Sequence, residues 1–414
     1  MEPWYNISGG PNKNVSRFAN SSVDNMFECR NSANKKSLCK LTGHADTPIP
    51  FLQSVLLAYQ HMRSAGQYPP SPLVSSPSYY SYSYSSSYNN GLQNAVLFYG
   101  GDQQAHLLNE SAKGDQLATV PKLIREVIRT SLQFFREDQV FITPGNNDGV
   151  HNLIFVGNNS YGMAVSAAWA QQMLDHNIVT DNLHRQYSSQ FKKKISFLFH
   201  DSPIYHRHSQ ESFVCPTIEV GNHTFNSVSF FKLTGYYLKK VPVANDATYQ
   251  YYAIITNSNL GCFCFVNKLM MSILCTFSCL KWFFSKKKGA TNPTQNNALQ
   301  SDLEFVKTQS PNARVMIFVH HPLIATSIVP NQYWGSDILT GVWSGHLHQF
   351  FATNLYGFTI LPAATQYEGI ESGFCIGNFD DKGKVVLNEH NLWVYRGPVH
   401  SVPDPMCWIP VVNA

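Results

Sequence analysis

The chain has 414 residues, enough for one large domain with a full core or for two smaller ones. Its formal charge is +4 with 16 histidines left neutral, and no concentrated basic face marks a nucleic-acid-binding surface. Nine scattered cysteines form no paired CxxC set, which excludes a cysteine-built zinc module.

In chain order, the opening MEPWYNISGG has neither the basic nor the apolar stretch of a signal peptide. Sequons at Asn6, Asn14, Asn20, Asn109, Asn158 and Asn222 nevertheless lean towards the secretory route, whether extracellular, lysosomal or vacuolar. Cys29 and Cys39 flank a short basic loop and can pair; Cys215, Cys375 and Cys407 are either core or bridged. Residues 50–65 space Phe51, Val55, Leu56, Tyr59 and Met62 at helical intervals and predict an amphipathic helix. The Ser/Tyr/Pro-rich stretch 69–90 buries no regular face and is expected to be a surface insertion.

Short continuous apolar runs come next: AVLFYG (95–100), QVFIT (139–143), ARVMIFV (313–319), GVWS (341–344) and FTILP (358–362). Unbroken hydrophobicity suits strands covered on both faces. Helical patterns at 120–135, 164–176 and 297–310 lie between some of them, so an α/β fold with helices around a mixed sheet is expected. Residues 260–284 are strongly apolar, but Lys268 and Lys281 leave only LMMSILCTFSCL between them, short of a membrane span. Three origins fit: a buried or membrane-touching loop, a marginal span, or an insertion such as an unspliced intron. The run YYAIITN and the helix at 297 can join without residues 260–290, which favours an insertion.

Ligands in open α/β sheets gather at the carboxyl ends of strands. After AVLFYG come Asp102 and His106; after QVFIT come Asn146, Asn147 and Asp148. After ARVMIFV come His320 and His321; after GVWS come His346 and His348. Each piece alone is a turn, cap or surface pair, but four successive strand ends carrying Asp, Asn or His form a ligand set for Zn, Fe or Mn.

These stretches resemble the calcineurin-like metallophosphoesterases, whose motifs run DxH, GDxx, GNH(D/E), HxP and GHxH. GDQQ, GNND, VHHP and GHLH match the last four in order, over residues 95 to 365. Gly101 to His106 and the PAAT at 362–365 look like the acid sphingomyelinase-like branch, and GNNDGVHN looks most like its endopolyphosphatases. The resemblance implies a sandwich of two mixed β-sheets flanked by helices over residues 50–400, with 401–414 a tail. It implies a hydrolase of phosphodiester or phosphoanhydride bonds acting on a sphingophospholipid, a nucleotide-type phosphodiester or polyphosphate. No saposin-like Cys-rich module is present, which lowers the sphingomyelin option, although residues 260–284 leave a membrane contact open. Two divalent metals are implied: Asp102 bridging them, Asn146, His320 and His346 completing one, and His348 serving the other. Asn147 occupies the usual acid's place and cannot donate a proton as an acid, so His106, with His151 in reserve, is expected to do so. Asp148 is expected to orient a ligand or cap a helix, and His321 to be structural.

The first motif, DxH, is missing; GHAD at 43–46 stands after no apolar run. Met1-Glu2-Pro3-Trp4-Tyr5 resembles the segment just past DxH in that branch, so residues 1–49 read as a remnant whose first strand, DxH and signal peptide would precede Met1. Ala45 stands where the branch has a cysteine, which removes the usual neighbour of Cys29 and Cys39. Without DxH the chain is expected to bind at most one metal firmly and to hydrolyse phosphodiesters poorly. The alternative is a catalytically impaired relative that serves as a binding or structural protein.

Overall fold

The computed structural model describes residues 49–64, 95–103, 113–145, 148, 160–189, 223–242, 248–258, 293–322, 328–353, 358–364, 372–387, 391–397 and 404–411. Residues 1–48, the stretches 69–90 and 260–290 expected to be insertions, the asparagines of all six sequons, Cys29, Cys39 and Cys215 lie outside them.

The chain begins with α1 (Ile49–Ser64), β1 (Leu97–Tyr99), α2 (Lys113–Leu132), β2 (Val140–Ile142), α3 (Ser160–Asp175) and β3 (Gln186–Ser189). It continues through β4 (His223–Asn226), α4 (Ser227–Thr234), β5 (Tyr237–Val241), β6 (Gln250–Thr256), α5 (Pro293–Gln309), β7 (Ala313–Val319) and β8 (Leu339–Ser344). Short strands close it: β9 (Phe351–Thr353), β10 (Phe358–Ile360), β11 (Gly373–Cys375), β12 (Asn378–Phe379), β13 (Val385–Val386), β14 (Leu392–Tyr395) and β15 (Trp408–Pro410).

This is a mixed α/β fold. Its main sheet has the order β5-β6-β7-β8-β10-β9, with β6, β7, β8 and β10 parallel and antiparallel strands at both edges. A separate parallel pair joins β1 to β2 in the register Phe98 to Phe141, and β11, β14 and β15 form an antiparallel sheet. The run YYAIITN is β6, and α5 supplies the crossover that its parallel pairing with β7 needs.

The continuous apolar runs are explained by two cores. Alternate residues of a strand face opposite sides, so β7 sends Met316 and Phe318 to one core and Val315, Ile317 and Val319 to the other. The first core is roofed by α1, α2 and α3 and includes β1 and β2; Phe98 stacks on Phe141 and on Phe318, with centroids 4.6 and 4.1 Å apart. The second packs α5 and β3 on the far face of the main sheet. Tyr237 on β5 ties the sheet to β2, its hydroxyl donating to Ile142 O at 3.1 Å and accepting from Ile142 N at 2.9 Å. Between α4 and β5 the chain turns at Gly235 (φ 70°), a left-handed cap that glycine adopts without strain.

The four predicted helices are present, and α2 starts further upstream, at Lys113, with Pro121 inside it. Residues 404–411, expected as a tail, belong to the fold. β15 pairs with β14, and buried Trp408 packs on Phe51 and donates from Nε1 to Ser54 Oγ at 3.1 Å. Burying a Trp side chain is worth about 2–3 kcal/mol, ample reason for a short chain end to dock. Cys375 and Cys407 are free, half-buried thiols, so the bridged alternative does not hold for them. Among the described residues no helix is long and apolar enough to cross a membrane.

Candidate metal centre

Because β1 and β2 are parallel, and β6, β7 and β8 are parallel, each set presents its carboxyl ends along one edge. Within each set the ladder continues past the strands: Thr143 N donates to Tyr99 O at 3.0 Å, and Gly345 N donates to His320 O at 3.0 Å. The His320 side chain joins the two edges: its Nδ1 lies 2.7 Å from Gly100 O. Gly101 (φ 106°) makes this possible, since a Cβ there would collide with His320 Nδ1. Gly145 is as constrained, because a Cβ would run into the main chain of Asp102.

Asp102 sits on this edge, buried, with φ 54°. Its Oδ2 is 3.0 Å from His320 Nε2. Asp148, also buried, accepts the Gly145 N–H at 2.7 Å and so braces the turn after β2. His346 and His348 come after β8 with φ 69° and 55°. A left-handed backbone costs a non-glycine residue about 1–2 kcal/mol. Three of the five described non-glycine residues with positive φ are Asp102, His346 and His348, so this strain gathers at one place.

The ring centroids of His320, His321 and His346 lie 4.3 to 5.1 Å apart. One nitrogen from each falls within 4.8 Å of the others, so this cluster can hold a metal ion. His320 and His321 are buried and His346 is exposed, which leaves the cluster open to solvent on one side. Burial opposes charge on His320, but the adjacent Asp102 carboxylate and the Gly100 carbonyl raise its pKa above the ordinary value. Burial, then the neighbouring His320 and His346, hold His321 well below it. His321 Nδ1 is 2.7 Å from Ser258 Oγ, and its main-chain N–H donates to the same oxygen at 3.2 Å.

The donor set suits a divalent ion. Imidazoles with a carboxylate are borderline-to-hard ligands. The Gly100 carbonyl engages His320 Nδ1 and leaves Nε2 towards Asp102, the outer bond that metal-binding histidines use to fix ring orientation.

Of the residues expected at the site, Asp102, His320 and His346 come together. His348 lies two residues beyond His346, outside the three-histidine group. Asn146, Asn147, His106 and His151 lie outside the described residues. His321, expected to be structural, stands within the imidazole cluster. Ser258 has no counterpart among the residues expected from sequence. It lies just past β6, and the strand-end rule applied to YYAIITN points to it. No protein-family model matches the chain, and no curated protein matches it.

Proposed function

We propose that the chain is a metal-dependent hydrolase of phosphodiester or phosphoanhydride bonds, with the two-sheet sandwich of the calcineurin-like metallophosphoesterases that its motifs resemble. The observation that carries this is the convergence of Asp102, His320 and His346 from three strand ends onto one edge, with Asp102 Oδ2 3.0 Å from His320 Nε2. Asp102, His320 and His346 would hold one ion, Zn, Mn or Fe by donor type. A second ion would need His348 together with ligands outside the described residues. When bound, such an ion supplies Lewis-acid polarisation of a phosphoryl oxygen and a water of lowered pKa. The chain's own part is to hold that geometry on rigid strand ends, with Asp148 bracing the Gly145 turn.

Within this class the GNND form favours polyphosphate, and the GDxxAH form favours a phosphodiester of the sphingomyelinase-like branch. An impaired relative with a binding role is the other outcome, favoured by Asn147 in the acid's place. The sequons favour the secretory route.

The test is metal analysis of the purified chain, then hydrolysis of bis(p-nitrophenyl) phosphate and of long-chain polyphosphate with Mn or Zn. We expect about one tightly held metal and weak metal-dependent turnover. In Asp102→Asn, metal affinity should fall by about 100-fold or more, at or beyond the usual cost of losing an outer-sphere partner. Asn tolerates a positive φ, so this variant should fold. A chain that retains no metal sinks the proposal; retained metal without turnover on either substrate selects the binding role.

A further inference from the structure

We propose that Ser258 sets His321 as a hydrogen-bond donor towards the substrate rather than as a third metal ligand. This rests on the phosphoesterase function proposed above. Ser258 is fully buried at the carboxyl end of β6. Its Oγ already accepts the main-chain N–H of His321 at 3.2 Å and lies 2.7 Å from Nδ1 of the same residue. A buried hydroxyl must also place its own proton on an acceptor. Among the described residues, the acceptor beside this oxygen is His321 Nδ1. The hydroxyl therefore donates to Nδ1, and the proton of the neutral ring sits on Nε2.

A nitrogen that carries a hydrogen has no lone pair for a cation. His321 stays among the imidazoles, 4.3 Å from His346 and 4.9 Å from His320 by ring centroid, but it offers an N–H there. The ion is then left to His320, His346 and Asp102. In the proposed reaction that N–H, on a ring within the histidine cluster, would donate to a phosphoryl or leaving-group oxygen, where charge develops during hydrolysis. The ring need not change its charge to do so. This donor adds to, and does not replace, the acid that Asn147 cannot supply and that His106 or His151 is expected to be. Ser258 is the positioning residue: it grips both the main chain and the ring of His321, fixing tautomer and orientation together.

The tautomer is read directly from 15N-histidine NMR of the metal-free protein, with the His321 signals identified by their shift in Ser258→Ala. The expected result is Nε2–H in the wild type, lost in Ser258→Ala and restored in Ser258→Thr. A wild-type Nδ1–H ring overturns the proposal. A cobalt titration gives a second readout. His321→Phe should keep cobalt affinity within about threefold, whereas His320→Ala should lose about 100-fold. Where His321→Phe alone folds poorly, pairing it with Ser258→Ala removes both hydrogen-bonding partners and keeps the core satisfied. Loss of cobalt in these His321 variants, with the wild type binding normally, overturns this proposal alone. A wild type that binds no cobalt overturns the phosphoesterase function and this role with it. In cobalt-loaded protein that turns over substrate, His321→Phe should lower kcat about 100-fold with little change in KM.

Discussion

Asp302, on α5, is fully buried and accepts hydrogen bonds from Arg185 Nε, Tyr187 Oη and Tyr236 Oη, each at 2.8 Å. Asp102 is also buried, but it sits at φ 54° beside an imidazole that faces two more imidazoles. Asp302 lies inside a regular helix, and each of these three partners is a donor. Around Asp102 the backbone is bent out of its preferred region, and the carboxylate faces the His320 imidazole at 3.0 Å. Burial raises the Asp302 carboxyl against the pull of Arg185 and the two phenols, yet the network binds α5 to β3 and to the turn after α4. A satisfied buried carboxylate holds a fold together; a strained one crowded by ligating groups is poised for a ligand.

The largest effect should come from the satisfied end of the comparison. Asp302→Ala strands a guanidinium and two phenols and should cost about 3–5 kcal/mol, the usual penalty for breaking a buried pair. Urea unfolding checks this, and a loss below about 1 kcal/mol would mean that the network is ornamental. The same variant should leave cobalt affinity unchanged in the folded fraction, because the Asp302 network lies apart from the histidine cluster.

Alkaline unfolding sharpens the contrast. Burial, then Asp302, raises Tyr187 and Tyr236 above the ordinary 10.0. A folded-state pKa above the unfolded one gives stability that is complete below the unfolded value and is lost as pH rises past it. Stability should therefore fall above about pH 10, by up to about 1.4 kcal/mol per pH unit for each phenol. Tyr187→Phe should flatten that slope; an unchanged slope assigns the alkaline loss to other groups.

The smallest effect has the opposite sign. His346→Gly relieves a left-handed backbone at φ 69° and should stabilise the metal-free protein by about 0.5–1 kcal/mol, after the glycine's own entropy cost. Thermal unfolding in chelator tests it. A destabilised variant would show that His346 contributes to the fold, which would weaken the contrast with Asp302.

Much of the fold is legible in the chain. The runs at 95–100, 139–143, 313–319, 341–344 and 358–362 each form a strand, because an unbroken apolar run fits a strand buried on both faces. Asp102, His320 and His346 are legible because each comes directly after such a run. Trp408 is not, because a short strand near the chain end has no periodicity and its docking depends on the distant Phe51 and Ser54. Ser258 is hidden beside a segment, 260–290, whose apolar composition dominates that part of the chain.

Sequence alone determined the central apolar strands, the four long helices and which side chains follow those strand ends, since these depend on short-range periodicity and on motif order along one chain. Only the tertiary structure decided how those side chains meet. Ser258 and His321 are 63 residues apart, and His320 and Gly100 are 220 apart, so no local pattern records that one ring is held by a hydroxyl and the other by a carbonyl. The left-handed conformation of Asp102 arises the same way, because two parallel sets of strands converge where only glycine fits at positions 101 and 145.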